Sequence, residues 1–242
     1  MSDTTANLET IRERIADAAE HSGRSPDAVT LIAVTKTMPT TPILAAIQAG
    51  VTHFGENRVQ EAAAKYAPQR GTENDGLDLV PRAGITLHMI GNLQRNKAHR
   101  AAAMFDWIQS VDRPELAETL DHACAEQRHG EPLPVLIEVN LTGEPSKSGI
   151  APEHLPRLAD TITACPNLRP TGLMTIARMG AQEPELRRTF SHLRTLMENL
   201  KHTHPGDWTH LSMGMSDDYP QAIAEGATMI RLGRALFGAR PK

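Results

Sequence analysis

Cysteine is scarce in this chain: its 242 residues hold two, Cys124 and Cys165, with no Cys-x-x-Cys spacing. That excludes a disulfide framework and points to two buried thiols in a reducing compartment. Basic charge is not in excess either. Lys and Arg total 25 against 29 Asp and Glu, a formal net charge of −4, so neither nucleic acid nor an anionic membrane surface is expected as a partner. No apolar run approaches the roughly 20 residues that span a bilayer, and the start, Met1-Ser2-Asp3-Thr4, lacks a basic segment followed by an apolar one. A cytoplasmic protein is expected. Several signatures of common chemistries are also missing. There is no GxGxxG, no GxxxxGK followed by Ser or Thr, and no GxSxG, which argues against dinucleotide binding, P-loop hydrolysis and the serine-hydrolase elbow. The 11 histidines include no HExxH, and neither His88 nor the pair His202 and His204 has a carboxylate in metal-ligand spacing; no metal site is expected.

What is present is a regular alternation of short apolar runs and helical patterns. Leu8, Ile11, Ile15, Ala18 and Ala19 form one stripe at helical spacing between Asn7 and His21, halted by Gly23 with Pro26 beyond, so residues 1–25 read as a lead-in helix. Eight candidate strands follow, at 31–36, 51–54, 87–90, 107–111, 135–139, 168–174, 208–211 and 229–232, with helical segments at 41–49, 58–66, 114–127, 152–164, 184–201 and 216–225. Alternation of this kind requires parallel strands with crossover helices. With 40% hydrophobic residues and a length close to the roughly 250 residues typical of such barrels, the chain is expected to be α/β: one (β/α)8 TIM-type barrel spanning 1–242. The polar, Gly-containing stretch 68–84 reads as a surface loop.

In a parallel barrel, function collects where the strands end at their carboxyl side. Period two places Ile32, Val34 and Lys36 on one face of the first strand, with the amine above the inward apolar layers. Burial there would favour the neutral amine and Schiff-base chemistry; the alternatives are a solvent-directed lysine or one paired with Glu56. After the last two strands come Ser212-Met213-Gly214-Met215-Ser216 and Gly233-Arg234, placed where barrels often bind phosphate but equally readable as tight turns with a helix cap. Met229, Arg231 and Gly233 share a face, so Arg231 is expected to point into the barrel mouth, toward Glu138 or toward the ring nitrogen of a pyridine cofactor. Asn57 follows the second strand as a ligand contact or an N-cap.

Together these motifs resemble a known family. Ala33-Val34-Thr35-Lys36, the segment from Phe54 to Glu61, Ile90 to Lys97, Ser146-Lys147-Ser148-Gly149, Gly172-Leu173-Met174, Leu211 to Asp218, and Arg231-Leu232-Gly233 through Gly238 resemble the YggS/PROSC pyridoxal phosphate homeostasis proteins, in order and over nearly the whole chain. The resemblance implies a barrel like the N-terminal domain of alanine racemase, with pyridoxal 5'-phosphate as a Schiff base on Lys36 and Arg231 on its ring nitrogen. It implies Asn57 near the cofactor and a phosphate cradle at Ser212, Gly214, Gly233 and Arg234. Arg234 is a departure, since the family often carries Thr or Ser there, and a hydroxyl contact is thereby replaced by a possible charge contact.

The expected function is that of a monomeric cofactor-binding protein in pyridoxal phosphate homeostasis and amino-acid balance, with no catalytic residue and with apo-enzymes as recipients of the cofactor. An amino-acid racemase using the same lysine is the alternative. It would need a second acid/base group, for which Tyr219 is the candidate and Tyr66 the other tyrosine. A third reading is a barrel enzyme acting on a phosphorylated sugar or small acid.

Overall fold

The structure is a computed structural model that describes residues 4–66, 79–144 and 147–238. Eight parallel strands close into a barrel in chain order: β1 (Thr30–Val34), β2 (His53–Glu56), β3 (Thr86–Met89), β4 (Trp107–Val111), β5 (Leu133–Glu138), β6 (Leu168–Met174), β7 (His210–Ser212) and β8 (Met229–Leu232). The ring closes through β1 and β8, with Ile32 opposite Arg231 and Ala33 opposite Leu232. Helices α1 (Thr4–His21), α2 (Thr40–Gln48), α3 (Val59–Lys65), α4 (Ala98–Met104), α5 (Pro114–Gln127), α6 (Leu155–Thr163), α7 (Glu183–Thr203), α8 (Tyr219–Ala224) and α9 (Arg234–Phe237) accompany the strands.

Strand periodicity sorts the apolar residues into two cores. Ile32, Leu136, Met174 and Met229 meet inside the barrel, with Trp107 and Ile176 against them. Their sequence neighbours, such as Ala33, Val135, Ile137 and Leu173, join the larger layer beneath the helices. Both faces of β5 are therefore buried, as expected of parallel strands covered on both sides. Full burial of each such aliphatic side chain is worth roughly 1.5–3 kcal/mol. Helix α1 buries Leu8, Ile11, Ile15 and Ala19 and packs against α2, α8 and α9, which lie on either side of the seam between β8 and β1.

Four details differ from the sequence reading. The first strand ends at Val34, so Lys36 lies in the following turn. Helix α4 was not expected, because its Ala-rich sequence gives little apolar contrast. Helix α8 starts at Tyr219 rather than at 216, because Met215–Asp218 is a turn closed by the Asp218 N–H on Met215 O. Of the stretch read as a surface loop, 68–78 lies outside the described residues, but its end is anchored: Val80 is buried and its N–H donates to Lys65 O at 2.7 Å, while Arg82 pairs with Asp106 at 2.6 Å. Among the described residues no helix is long and apolar enough to cross a membrane.

Candidate functional site at the barrel mouth

Lys36 occupies a turn in which the Met38 N–H bonds Thr35 O at 3.0 Å and Thr37 takes a φ of +62°. A β-branched residue in the left-handed region is strained, at a cost of order 1–3 kcal/mol, and such strain persists only where surrounding contacts dictate it. Those contacts are present. The Thr37 N–H donates to Glu61, and Lys65 Nζ donates to Thr35 O at 2.6 Å, to Glu56 Oε1 at 2.9 Å and to Glu61 Oε1 at 2.6 Å. The Thr35 hydroxyl donates to Glu56 Oε1 at 2.7 Å; its one hydrogen is thus used, so the Tyr66 hydroxyl at 2.8 Å is the donor to Thr35 Oγ1. Glu56 is fully buried, and burial raises its pKa against the hydrogen bonds and charge of Lys65. Burial pushes Glu61 upward too, but its bonds from Lys65 and the Thr37 N–H leave it below the ordinary value. The turn carrying Lys36 is therefore clamped from the helix side by α3. Glu56, considered from sequence as a partner for Lys36, is the partner of Lys65.

Arg231 is 4% exposed and its guanidinium donates to two neutral acceptors, Ser212 Oγ at 2.7 Å and Thr175 O at 2.9 Å. Among the described residues no carboxylate pairs with it. Burial lowers its pKa to about 10, opposed by the charges of Glu138 and Asp218, so it remains a cation at neutral pH. From Arg231 a chain of hydrogen bonds crosses the barrel interior. Arginine only donates, so the Ser212 hydroxyl turns its hydrogen to Gln109 Oε1 at 2.7 Å. Gln109 Nε2 then faces His88 Nδ1 at 3.0 Å, and His88 Nε2 faces His53 Nδ1 at 3.0 Å. Each group donates away from Arg231, which fixes His88 as the tautomer protonated at Nε2. Burial, with His53, His210 and Arg82 adding to it, holds the His88 pKa well below the ordinary value, so the ring is neutral.

On β7 Ser212 faces inward, and its hydroxyl is spent on Arg231 and Gln109 rather than on the turns. The hydroxyl standing beside the last turn is that of Ser216, which accepts from the Ala235 N–H at 3.1 Å in the first turn of α9. Gly214 has a φ of +95°, and a Cβ there would come within 2.7 Å of Ala222 Cβ; it is required for α8 to pack, and its carbonyl accepts the Arg231 N–H at 3.0 Å. Gly233 precedes α9, and a Cβ on it would press on Val34 at 3.4–3.5 Å. The Arg234 side chain forms an exposed ion pair with Asp217, which leaves its backbone as the part nearest Gly233.

Asn57 does not cap α3; the capping position is Arg58. Asn57 instead sits against Gly91, where any Cβ would fall 2.5 Å from Asn57 O, and it lines a cavity of about 230 Å3 with Ile90, Gly91, Asn92, Glu138, Val139, Asn140, Lys147, Ser148 and Ile176. Glu138 is 4% exposed, and its Oε2 has no hydrogen-bond partner. Burial, with Asp112 adding and Arg231 opposing, lifts its pKa to about 7. Glu138 was considered from sequence only as a partner for Arg231. The cavity was not foreseen, although the rule that strand ends carry function would have drawn attention to the residues after β5.

Neither tyrosine reaches the mouth. Tyr219, the candidate for a racemase's second acid/base group, is fully buried beneath Arg14 of α1, whose guanidinium lies 5.1 Å from the ring centroid. Tyr66 is buried between the barrel and α3, against Phe54. Both cysteines are buried free thiols. Among the described residues no cluster of three His, Cys, Asp or Glu side chains could hold a metal ion.

The fold and its mouth define a class. A family model described as "Alanine racemase, N-terminal domain" matches residues 6–241, and an alanine racemase from Clostridium difficile shares the fold with a TM-score of 0.69 at 13% identity, this chain covering 58% of its length. Within that class the chain belongs to the pyridoxal phosphate homeostasis proteins of the YggS/PipY family. It is 43% identical over 242 residues to the "Pyridoxal phosphate homeostasis protein" of Pseudomonas aeruginosa, with 99% of this chain and 97% of that protein aligned. It is also similar to PipY of Synechococcus elongatus, solved with PLP bound: TM-score 0.78, 39% identity, 94% of this chain and 100% of PipY covered.

Proposed function

We propose that this protein binds pyridoxal 5'-phosphate, holds it as a Schiff base on Lys36, and acts in pyridoxal phosphate homeostasis and amino-acid balance as a carrier rather than by turnover, with apo-enzymes as recipients. The observation that carries the reading is the register of Ile32 opposite Arg231, which sets the turn of Lys36 and a buried cation with neutral partners on adjacent strands at one barrel mouth. The donor set suits the cofactor: an amine for its aldehyde, a guanidinium for its ring nitrogen, and the Ser216 hydroxyl with the turn at Gly233 and Arg234 for its phosphate. When bound, the cofactor supplies an aldehyde that condenses reversibly with amines. Arg231, always cationic, would hold the ring nitrogen unprotonated and so restrain carbanion chemistry. Asn57 borders the same mouth, while Ser212 and Gly214 act through Arg231, the first by its hydroxyl and the second by its carbonyl.

The racemase alternative lacks support from the two tyrosines, both packed on the outer side of the barrel. The experiment is direct. Purified protein should be yellow and Lys36→Ala colourless after incubation with pyridoxal 5'-phosphate; a colour that survives in Lys36→Ala overturns the assignment.

A further inference from the structure

Two hydrogen bonds bracket Lys36 from the helix side. Thr35 O, in the peptide before it, accepts from Lys65 Nζ at 2.6 Å, and the Thr37 N–H, in the peptide after it, donates to Glu61 Oε1. Lys65 and Glu61 stand one turn apart on α3 and are themselves joined at 2.6 Å, so the two bonds close a ring around the Lys36 backbone. Because each peptide is planar, holding the planes on both sides of a Cα holds its φ and ψ, and with them the direction in which the side chain leaves. The Thr35 N–H, bonded to Gly55 O at 3.0 Å, ties the ring to β2.

The two acids of the clamp have different tasks. Glu56 is fully buried and is the inner partner of Lys65, so the fold depends on that pair. The Glu61 side chain is 23% exposed; without it Lys65 would keep Glu56 and Thr35 O and could turn its third N–H to water. Glu61 is therefore not needed to satisfy the buried ammonium. Its distinct contribution is an acceptor for the N–H of Thr37, the residue whose φ of +62° is costly unless its surroundings impose it. Strain kept at the residue next to a ligand-binding side chain is a mark of preorganisation.

We propose that Glu61 is a positioning residue for the Schiff base on Lys36, acting on the backbone from which the amine is presented rather than on the cofactor. The proposal rests on the reading of Lys36 given above. Condensation of the amine with an aldehyde forms one C=N bond and expels one water, with no oxidant or reductant. An amine on a fixed backbone has less freedom to lose when that bond forms, so the bracket favours the bonded state. The contacts assigned to the ring and the phosphate, at Arg231 and at the turns after β7 and β8, do not pass through α3. Loss of Glu61 should therefore weaken the covalent part of cofactor binding and spare the rest.

The test compares two ligands on the full-length protein freed of cofactor: pyridoxal 5'-phosphate, and pyridoxine 5'-phosphate, whose alcohol in place of the aldehyde cannot form the imine. Glu61→Ala should bind pyridoxal 5'-phosphate about tenfold more weakly and pyridoxine 5'-phosphate within about twofold of the unaltered protein, the selective loss expected when preorganisation of one bonding group is removed. Glu61→Gln, which keeps an acceptor oxygen for the Thr37 N–H, should recover most of the affinity. Should Glu61→Ala fail to fold, Glu61→Asp carries the test: it keeps the charge but draws the carboxylate back from Thr37, and the same selective loss is expected. Equal weakening of both ligands, unchanged affinity for pyridoxal 5'-phosphate, or a Glu61→Gln no better than Glu61→Ala overturns the proposal. Borohydride labelling of the unaltered protein separates the two readings. Label on Lys36 without the selective loss sinks only this inference, whereas label on another lysine sinks the cofactor assignment and this inference with it.

Discussion

Arg231 and Glu138 both face the mouth of the barrel, from β8 and β5, and do not pair with each other; the arginine spends its hydrogen bonds on Ser212 Oγ and Thr175 O. Its positive charge is thus held in place but not neutralised by a direct contact, which suits a group meant to face the ring nitrogen of a ligand. Arg231→Gln should therefore keep the visible absorption of the bound cofactor but shift its maximum, because the nitrogen can then acquire a proton. A spectrum identical to that of the unaltered protein removes Arg231 from the ring.

Glu138 makes stability depend on pH in a defined direction. Its pKa rises from an ordinary 4.5 to about 7 in the folded protein, so the folded state prefers the protonated form. The associated stabilisation is complete below about pH 4.5 and is lost as pH rises through 7, a change of about 3 kcal/mol at most. Glu138→Gln removes the titration. Its melting temperature relative to the unaltered protein should rise between about pH 5 and pH 8, and a pH-independent difference contradicts the assignment.

The clamp on the Lys36 turn predicts a costly substitution at the buried Lys65. Lys65→Met removes three hydrogen bonds at once and strands the fully buried Glu56. Breaking a buried pair from one side costs about 3–5 kcal/mol, readable as a lower urea midpoint. A loss below about 1 kcal/mol, the range of an exposed pair, would mean that the clamp is solvated.

The interior chain can be probed at its centre. Gln109→Leu leaves the Ser212 hydroxyl hydrogen without its acceptor and His88 Nδ1 without its donor, at about 1–3 kcal/mol for each, and frees His88 to change tautomer. Nitrogen NMR should find His88 protonated at Nε2 in the unaltered protein and altered in Gln109→Leu. A His88 protonated at Nδ1 in the unaltered protein would reverse the chain's direction.

Much of this architecture was legible in the sequence, and the reasons are particular. Trp107–Val111, Leu168–Met174 and Met229–Leu232 fall where the short apolar runs between helical patterns put them. That Arg231 points inward could be read from its spacing to Met229, and its bonds to Ser212 and Thr175 agree. The contacts that the sequence did not show have a common cause. The inward commitment of Ser212 depends on Gln109, 103 positions away, and the clamp joins Thr35 to Lys65 across 30; local pattern carries no information about partners that closure of the barrel brings together. Helix α4 was missed for a different reason: its alanines supply helix propensity but almost no amphipathic signal.

The central claim is that one amine, Lys36, holds the cofactor. Borohydride reduction of the pyridoxal 5'-phosphate-loaded protein, followed by intact mass and peptide mapping, tests it most directly. A single added phosphopyridoxyl group on the peptide containing Lys36 is the predicted result; label on another lysine, or no label at all, contradicts the account.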